Sequence, residues 1–334
     1  MAKRIFSLDF LRASSILAVL VWHLKLLNLI PTRLLSETAR NVVYYNITLL
    51  AVPVFFIVSF FLLAQRLNKT PNYIRLRLGR LTKIYVFWFL VGSIFTLAVI
   101  LLKFGSSFLY NLPNVFQLLL TGGHLSYFYI TSLLILSAIL GFLSPKLKRL
   151  NRNTLILCAL VSSIIFSYIS ADGYIYEVGL ATNTANFLNY LPFVFIAYCL
   201  HKDRSKINKF FIFFLAAIIV ASLIVEYWVL KFDTASAIFP YYGRLSVYFS
   251  AWLVVYLSLR IPFKNNRLVN ILSLNTLGIY AVHVLTLDVA TGILVRKGIA
   301  GPEFIALRTV LTILSTLLVL FLMKHSQPLR QFIE

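Results

Sequence analysis

Acidic side chains are scarce in this chain: 10 Asp and Glu stand against 31 Lys and Arg among 334 residues, and only 12% of the residues are charged. An ordinary soluble chain carries about a quarter charged residues, so a soluble fold is excluded first. Cysteine is almost missing too. Cys158 and Cys199 both lie in apolar stretches, which excludes a disulfide framework and leaves no zinc-ligand spacing. No glycine-rich nucleotide motif and no periodic repeat occur. The longest loops run to about 20 residues, too few for a separate catalytic domain. Any chemistry belongs inside the main body or at its mouths.

What the chain has is apolar length. It is 60% hydrophobic, and runs of about 20 apolar residues recur along it, each enough to cross a bilayer as a helix. The short alternating segments of a β-barrel do not occur. The expected fold is all-α, a polytopic transmembrane helical bundle of about ten spans, with residues 1–334 forming a single integral membrane domain. The spans are expected at 7–27, 44–64, 84–102, 124–143, 154–171, 187–201, 210–229, 240–259, 271–291 and 304–323. The first segment has no small-residue cleavage site, so it reads as a retained helix rather than a signal peptide.

A formal charge of +21 would point to nucleic acid in a soluble protein. Here it sorts by loop. The loops on the side of the two termini hold 21 Lys and Arg and the opposite loops hold 7, with Arg12, Arg244 and Arg308 making up the 31 from inside spans. Basic loops stay in the cytoplasm, so both termini are expected there. No nucleic-acid partner is expected.

The first span, LDFLRASSILAVLVWHLKLL, carries two groups that lipid rejects. Arg12 and His23 are eleven positions apart, almost whole turns, so they share a helix face about 16 Å apart along the axis. Asp9 lies near that face. A histidine close to its ordinary pKa can take a proton from a hydroxyl or carry an acyl group itself. Arg12 suits a phosphate or carboxylate. The structural alternatives are an interfacial histidine, an arginine snorkelling to the cytoplasmic surface beside Asp9, and an N-cap built from Ser7 and Asp9.

In NYIRLRLGRLTK, Arg75, Arg77, Arg80 and Lys83 form a basic cluster. Arg77, Arg80 and Lys83 recur at three-residue steps and would present cations to a phosphorylated ligand if the next helix starts early. A flank binding anionic lipid explains the same residues. In GGHLSYFYITSLLI, His124 and Tyr127 could bind a sugar by hydrogen bonds and stacking, or simply mark the interface. The ninth span, SLNTLGIYAVHVLTLDV, is unusually polar, with Asn275, Tyr280, His283 and Asp288. Arg244 of YYGRLSVYFS is an outer partner for Asp288 or for Glu226, in a pair that could be purely structural.

These elements, in this order, resemble the acyltransferase 3 family of integral membrane acyltransferases. Family members carry an Arg and a His separated by ten residues in the first span, as Arg12 and His23 are in LDFLRASSILAVLVWH. A basic cluster follows the second span, here Arg75 through Lys83. The stretch SLNTLGIYAVHVL resembles the late Ser, Gly-Ile-Tyr and His pattern and puts His283 at its histidine. GGHLSYFYITSLLI resembles the fourth-span stretch, although Ser126 stands near the expected Trp and the usual acidic residue is missing. The esterase-like domain fused to some relatives does not occur.

The resemblance implies acetyl-CoA or another acyl-CoA as the cytoplasmic donor, and a cell-envelope glycan or its lipid-linked precursor as the acceptor. It implies a multi-pass protein of a bacterial plasma membrane, surrounded by lipid and working beside envelope-polysaccharide synthesis proteins. His23, Arg12 and His283 would be catalytic. Arg75, Arg77, Arg80, Lys83 and Arg12 would hold the donor. His124, Tyr127, Tyr280, Arg244 and Asp288 would meet the acceptor. No metal is implied. Buried charges in a ten-helix bundle fit a transporter or flippase for an envelope precursor as well, but no paired, interrupted half-repeats stand out. A membrane-embedded partner or sensor of an envelope-synthesis complex is the third reading.

Overall fold

In the computed structural model the described residues are helices joined by turns, with no strand among them. The structure describes residues 5–67, 72–104, 119, 121, 127–175, 186–203, 207–229 and 242–333. The helices are α1 (Phe6–Leu24), α2 (Glu37–Leu67), α3 (Tyr73–Phe104), α4 (Phe128–Arg149), α5 (Arg152–Ile175), α6 (Leu191–Lys202), α7 (Lys209–Ile224), α8 (Leu245–Ser258), α9 (Arg267–Leu274), α10 (Thr276–Arg296) and α11 (Gly301–His325). All but α9 fall on the expected spans. Among the described residues eight helices are long and apolar enough to cross a membrane; α6 and α8 are shorter.

Two boundaries differ from the expectation. The third span begins at Tyr73 rather than 84, because the Arg- and Leu-rich loop is itself a good helix former and joins the apolar run without a break. The ninth divides at Asn275. Its side-chain amide donates to the Ile271 carbonyl at 2.6 Å, finishing α9 before α10 starts. α9 begins on Asn266, whose side chain accepts from Leu268 and Val269 N–H, an ordinary N-cap.

α2 is the central helix: 78% of its most apolar window is buried, against 17% for α3 and α11. It packs on α1, α4, α6 and α8. Phe56, Phe60, Tyr190 and Phe193 are fully buried around it, with Phe56 stacked on Tyr190 at 4.4 Å between centroids. The outward residues of the peripheral helices are large and apolar, such as Ile94, Phe213, Leu314 and Phe321, as lipid contact requires.

α10 pairs with α11, and the crossing is tight at Gly278. A Cβ there would come within 2.6 Å of the tip of the Leu320 side chain and 3.0 Å of Ile333 Cβ, so a larger residue would require Leu320 to move. On the face with the basic loops, Asp203 ties α5 to the end of α8: Arg152 and Arg260 reach its carboxylate at 3.2 and 3.0 Å.

Candidate functional site

Four arginines meet at one cavity of about 410 Å³. Arg12 comes from α1, Arg66 from α2, and Arg77 and Arg80 from α3. No carboxylate is among the lining residues. Helical period explains which side chains reach it. On α3 the lining positions include 73, 77, 80 and 84, and on α2 they are 55, 58, 59, 62 and 66; each set is a single stripe at steps of three and four. Arg75 and Lys83 fall off that stripe and are exposed. The basic cluster thus splits, with Arg77 and Arg80 facing Arg12's cavity and Arg75 and Lys83 facing away. Arg66 stands over the Tyr73 ring at 5.4 Å.

Tyr129 and Tyr280 line the same cavity. Their rings meet edge to face at 5.4 Å. The Tyr129 hydroxyl lies 3.2 Å from Ser59 Oγ and within electrostatic range of Arg12 and Arg77. Tyr127 donates its hydroxyl to the Ala281 carbonyl at 2.7 Å. This bond and the Tyr129–Tyr280 ring contact hold the start of α4 against the middle of α10.

Beyond Tyr280 the rings continue to two histidines. Tyr280 and His283 are 6.2 Å apart, and His283 and His23 are 5.1 Å apart in a T-shaped contact. His283 is fully buried, while His23 is half-buried in the last turn of α1. His283 Nδ1 lies 2.8 Å from the Ile279 carbonyl. A carbonyl oxygen only accepts, so Nδ1 carries the proton and Nε2 is the basic nitrogen. Arg12 and His23 do stand on one helix, and the structure adds His283 beside His23.

Other expected site residues lie elsewhere. Arg244 is 1% exposed and belongs to a buried polar knot, not an open sugar site. It pairs with Glu226 at 3.5 Å and donates to Asn46 and Tyr227 and to the Tyr45 carbonyl. Glu226 in turn accepts from the N–H and hydroxyl of Ser246 at 2.9 and 2.6 Å. Of the two partners considered for Arg244, the structure selects Glu226. Asp288 is exposed, because five residues along a helix turn it off the face of His283; it lies within electrostatic range of Tyr127. Tyr127 is fully buried, so it holds helices together instead of presenting a ring to solvent. His124 lies outside the described residues. Asp9 accepts from Ser273 Oγ at 3.2 Å, and the N-cap of α1 is Ile5, with no side-chain cap hydrogen bond, so an N-cap built from Ser7 and Asp9 does not form.

The sequence matches the acyltransferase domain family, acyltransferase 3, over residues 5–324. The chain belongs to that family. Searches of curated proteins and of solved structures found no match. The protein is therefore a multi-pass membrane acyltransferase. Among the described residues, no group of three or more His, Cys, Asp or Glu is placed to hold a metal ion.

Three lining residues of this acyltransferase escape a reading by sequence motif: Arg66, Ser59 and Tyr129. Arg66 sits among other loop cations. Ser59 and Tyr129 sit in apolar runs where a lone hydroxyl is common. Their signal is the stripe: Ser59 and Arg66 share one α2 face with Phe55 and Leu62.

Proposed function

We propose that this acyltransferase moves an acyl group, acetyl foremost, from cytoplasmic acyl-CoA to a hydroxyl of a cell-envelope glycan or its lipid-linked precursor. The observation that carries this reading is the four-arginine cavity with no carboxylate on its wall, joined by Tyr129 and Tyr280 to the His23–His283 pair. Converging guanidiniums suit phosphates, which they bind with paired N–H donors. Arg66, Arg77 and Arg80 would take the phosphate-rich end of the donor. Arg12 would orient the part nearer the thioester.

The thioester arm then follows the α1 face from Arg12 to His23, about 16 Å, passing the Tyr129 and Tyr280 rings. His23 accepts the proton of the acceptor hydroxyl as its oxygen attacks the thioester carbonyl. The C–S bond breaks, the CoA thiolate leaves, and the histidine proton neutralises it. His283, with Nδ1 bound to Ile279, fixes the His23 ring against its own. The reading places both termini in the cytoplasm of a bacterial cell, His23 toward the outer surface, and lipid and envelope-synthesis proteins around the bundle.

The test is transfer of label from radiolabelled acetyl-CoA to envelope glycans by the purified protein in nanodiscs. Label on a glycan hydroxyl is the expected result. Normal acylation by a protein-null strain, coupled with loss of polymer export, would favour the flippase instead.

A further inference from the structure

Lys25, Arg40 and Arg308 gather around Tyr44, just past His23. Lys25 ends α1 in left-handed backbone, φ 54°, a region side chains other than glycine rarely adopt. Its ammonium lies over the Trp22 ring at 4.1 Å and the Tyr44 ring at 4.9 Å. Arg308 of α11 donates to the Leu24 carbonyl at 2.9 Å, and Arg40 of α2 donates to the Ile30 carbonyl at 2.6 Å. Arg40 and Arg308 both lie in electrostatic range of the Tyr44 hydroxyl, and Arg308 in that of the Lys25 ammonium.

Like charges repel, and among the described residues none of these three meets a carboxylate. Elsewhere in the bundle Asp203 pairs with Arg152 and Arg260, and Glu226 with Arg244. The Nε atoms of Arg40 and Arg308 are buried with no hydrogen-bond partner. The Nε atoms of Arg152, Arg244 and Arg260 are in the same state although those side chains do meet carboxylates, so it is the convergence of three cations that points to a counter-charge from outside the chain. Topology does not explain them. They lie on the side that the positive-inside bias leaves poor in cations. Capping the end of α1 accounts for one bond of Arg308, but not for Lys25 and Arg40 converging on the same ring.

We propose that Lys25, Arg40 and Arg308 bind an oxyanion carried by the acceptor, so that the enzyme takes an acidic glycan with a phosphate or a carboxylate near the acylated hydroxyl. Trp22, whose ring meets Tyr44 and Tyr45 at 5.8 and 5.1 Å, adds an aromatic face of the kind sugars pack on. An anion seated within one turn of His23 brings a neighbouring hydroxyl toward its imidazole. The inference rests on the acyl-transfer reading above.

The experiment measures binding of three oligosaccharides of equal length to the full-length protein in phosphatidylcholine nanodiscs: a neutral glucan, a phosphorylated glucan and a uronic-acid oligomer. The variants are Lys25→Asn, which tolerates left-handed backbone, Arg40→Gln, their combination, and Lys25→Arg. The parent should bind one acidic oligomer at least about tenfold tighter than the neutral one, with a preference that fades as salt rises. The phosphorylated and uronic arms tell which oxyanion it is. The combined variant should lose the preference and Lys25→Arg should keep it. Equal binding of all three glycans overturns the inference. So does a preference that survives in a folded combined variant. So does a dependence on these residues seen only with phosphatidylglycerol nanodiscs and no glycan, which assigns the cluster to lipid headgroups. Label transfer from acetyl-CoA is measured separately. Transfer without acidic preference sinks this inference alone, and acidic preference without any transfer sinks the acyl-CoA reading instead.

Discussion

Replacing His23 by Ala tests the chemistry most directly. Two rings 5.1 Å apart, one fully buried and one half-buried, assign different tasks. In the proposed mechanism His23 is the ring that the acceptor reaches. His283 is held through Nδ1 on Ile279, and in that mechanism it sets the His23 ring. Loss of a general base costs about 10²–10⁴ in rate, or about 3–5 kcal/mol of barrier at 1.36 kcal/mol per decade. His283→Leu keeps most of the buried volume and leaves Ile279 its backbone hydrogen bond, so it should fold and lose about 10-fold or more through misplacement. The decisive variant is the double one. Groups that act as a unit are not additive, so His23→Ala with His283→Leu should be no slower than His23→Ala alone. The assay is turnover of radiolabelled acetyl-CoA in nanodiscs, with donor binding and melting checked for each variant. Near-parental turnover by folded His23→Ala would refute the base assignment. Fully multiplicative losses would refute the idea that the two rings work together. If His23 instead carries the acyl group, rapid quenching of the parent should trap acyl-histidine.

Removing Arg77 and Arg80 together by Ala should raise the donor KM at least about tenfold and leave acceptor binding intact, since two charge-assisted phosphate contacts are lost; isothermal titration with CoA checks it, and unchanged affinity would assign the pair to lipid. Arg12→Lys keeps the charge but loses the planar fork, so kcat should fall more than donor affinity in the same titrations and turnover assays. Either Glu226→Gln or Arg244→Met should destabilise the protein by about 3–5 kcal/mol, because each orphans a buried charge, and the double variant should cost less than their sum; a double-mutant cycle of melting in detergent tests the coupling. Cysteines introduced at Lys146 and Lys264 should react with a membrane-impermeant reagent only in inverted vesicles; labelling in intact cells would overturn the orientation.

How much of the site was legible along the chain depends on distance in sequence. Arg77 and Arg80 could be placed on one face from spacing alone, because they sit in one helix. Their separation from Arg75 and Lys83 needed the start of α3 at Tyr73, and that start depends on where the loop joins the apolar run. Tyr129 gave no sequence signal because an aromatic near a span end is usually an interfacial anchor. Its meaning comes from Ser59, seventy positions away in sequence.

The sequence by itself determined the all-helical bundle, the position of most spans, the basic bias between loops and the shared face of Arg12 and His23. Each of these follows from local composition or from the 3.6-residue period, which a segment carries wherever it is packed. Tertiary structure alone decided that His283 meets His23, that Glu226 rather than Asp288 pairs with Arg244, and that Lys25, Arg40 and Arg308 converge on Tyr44. Those contacts join different helices. Helix rotation and crossing fix them, and both are set by how side chains of distant segments interlock.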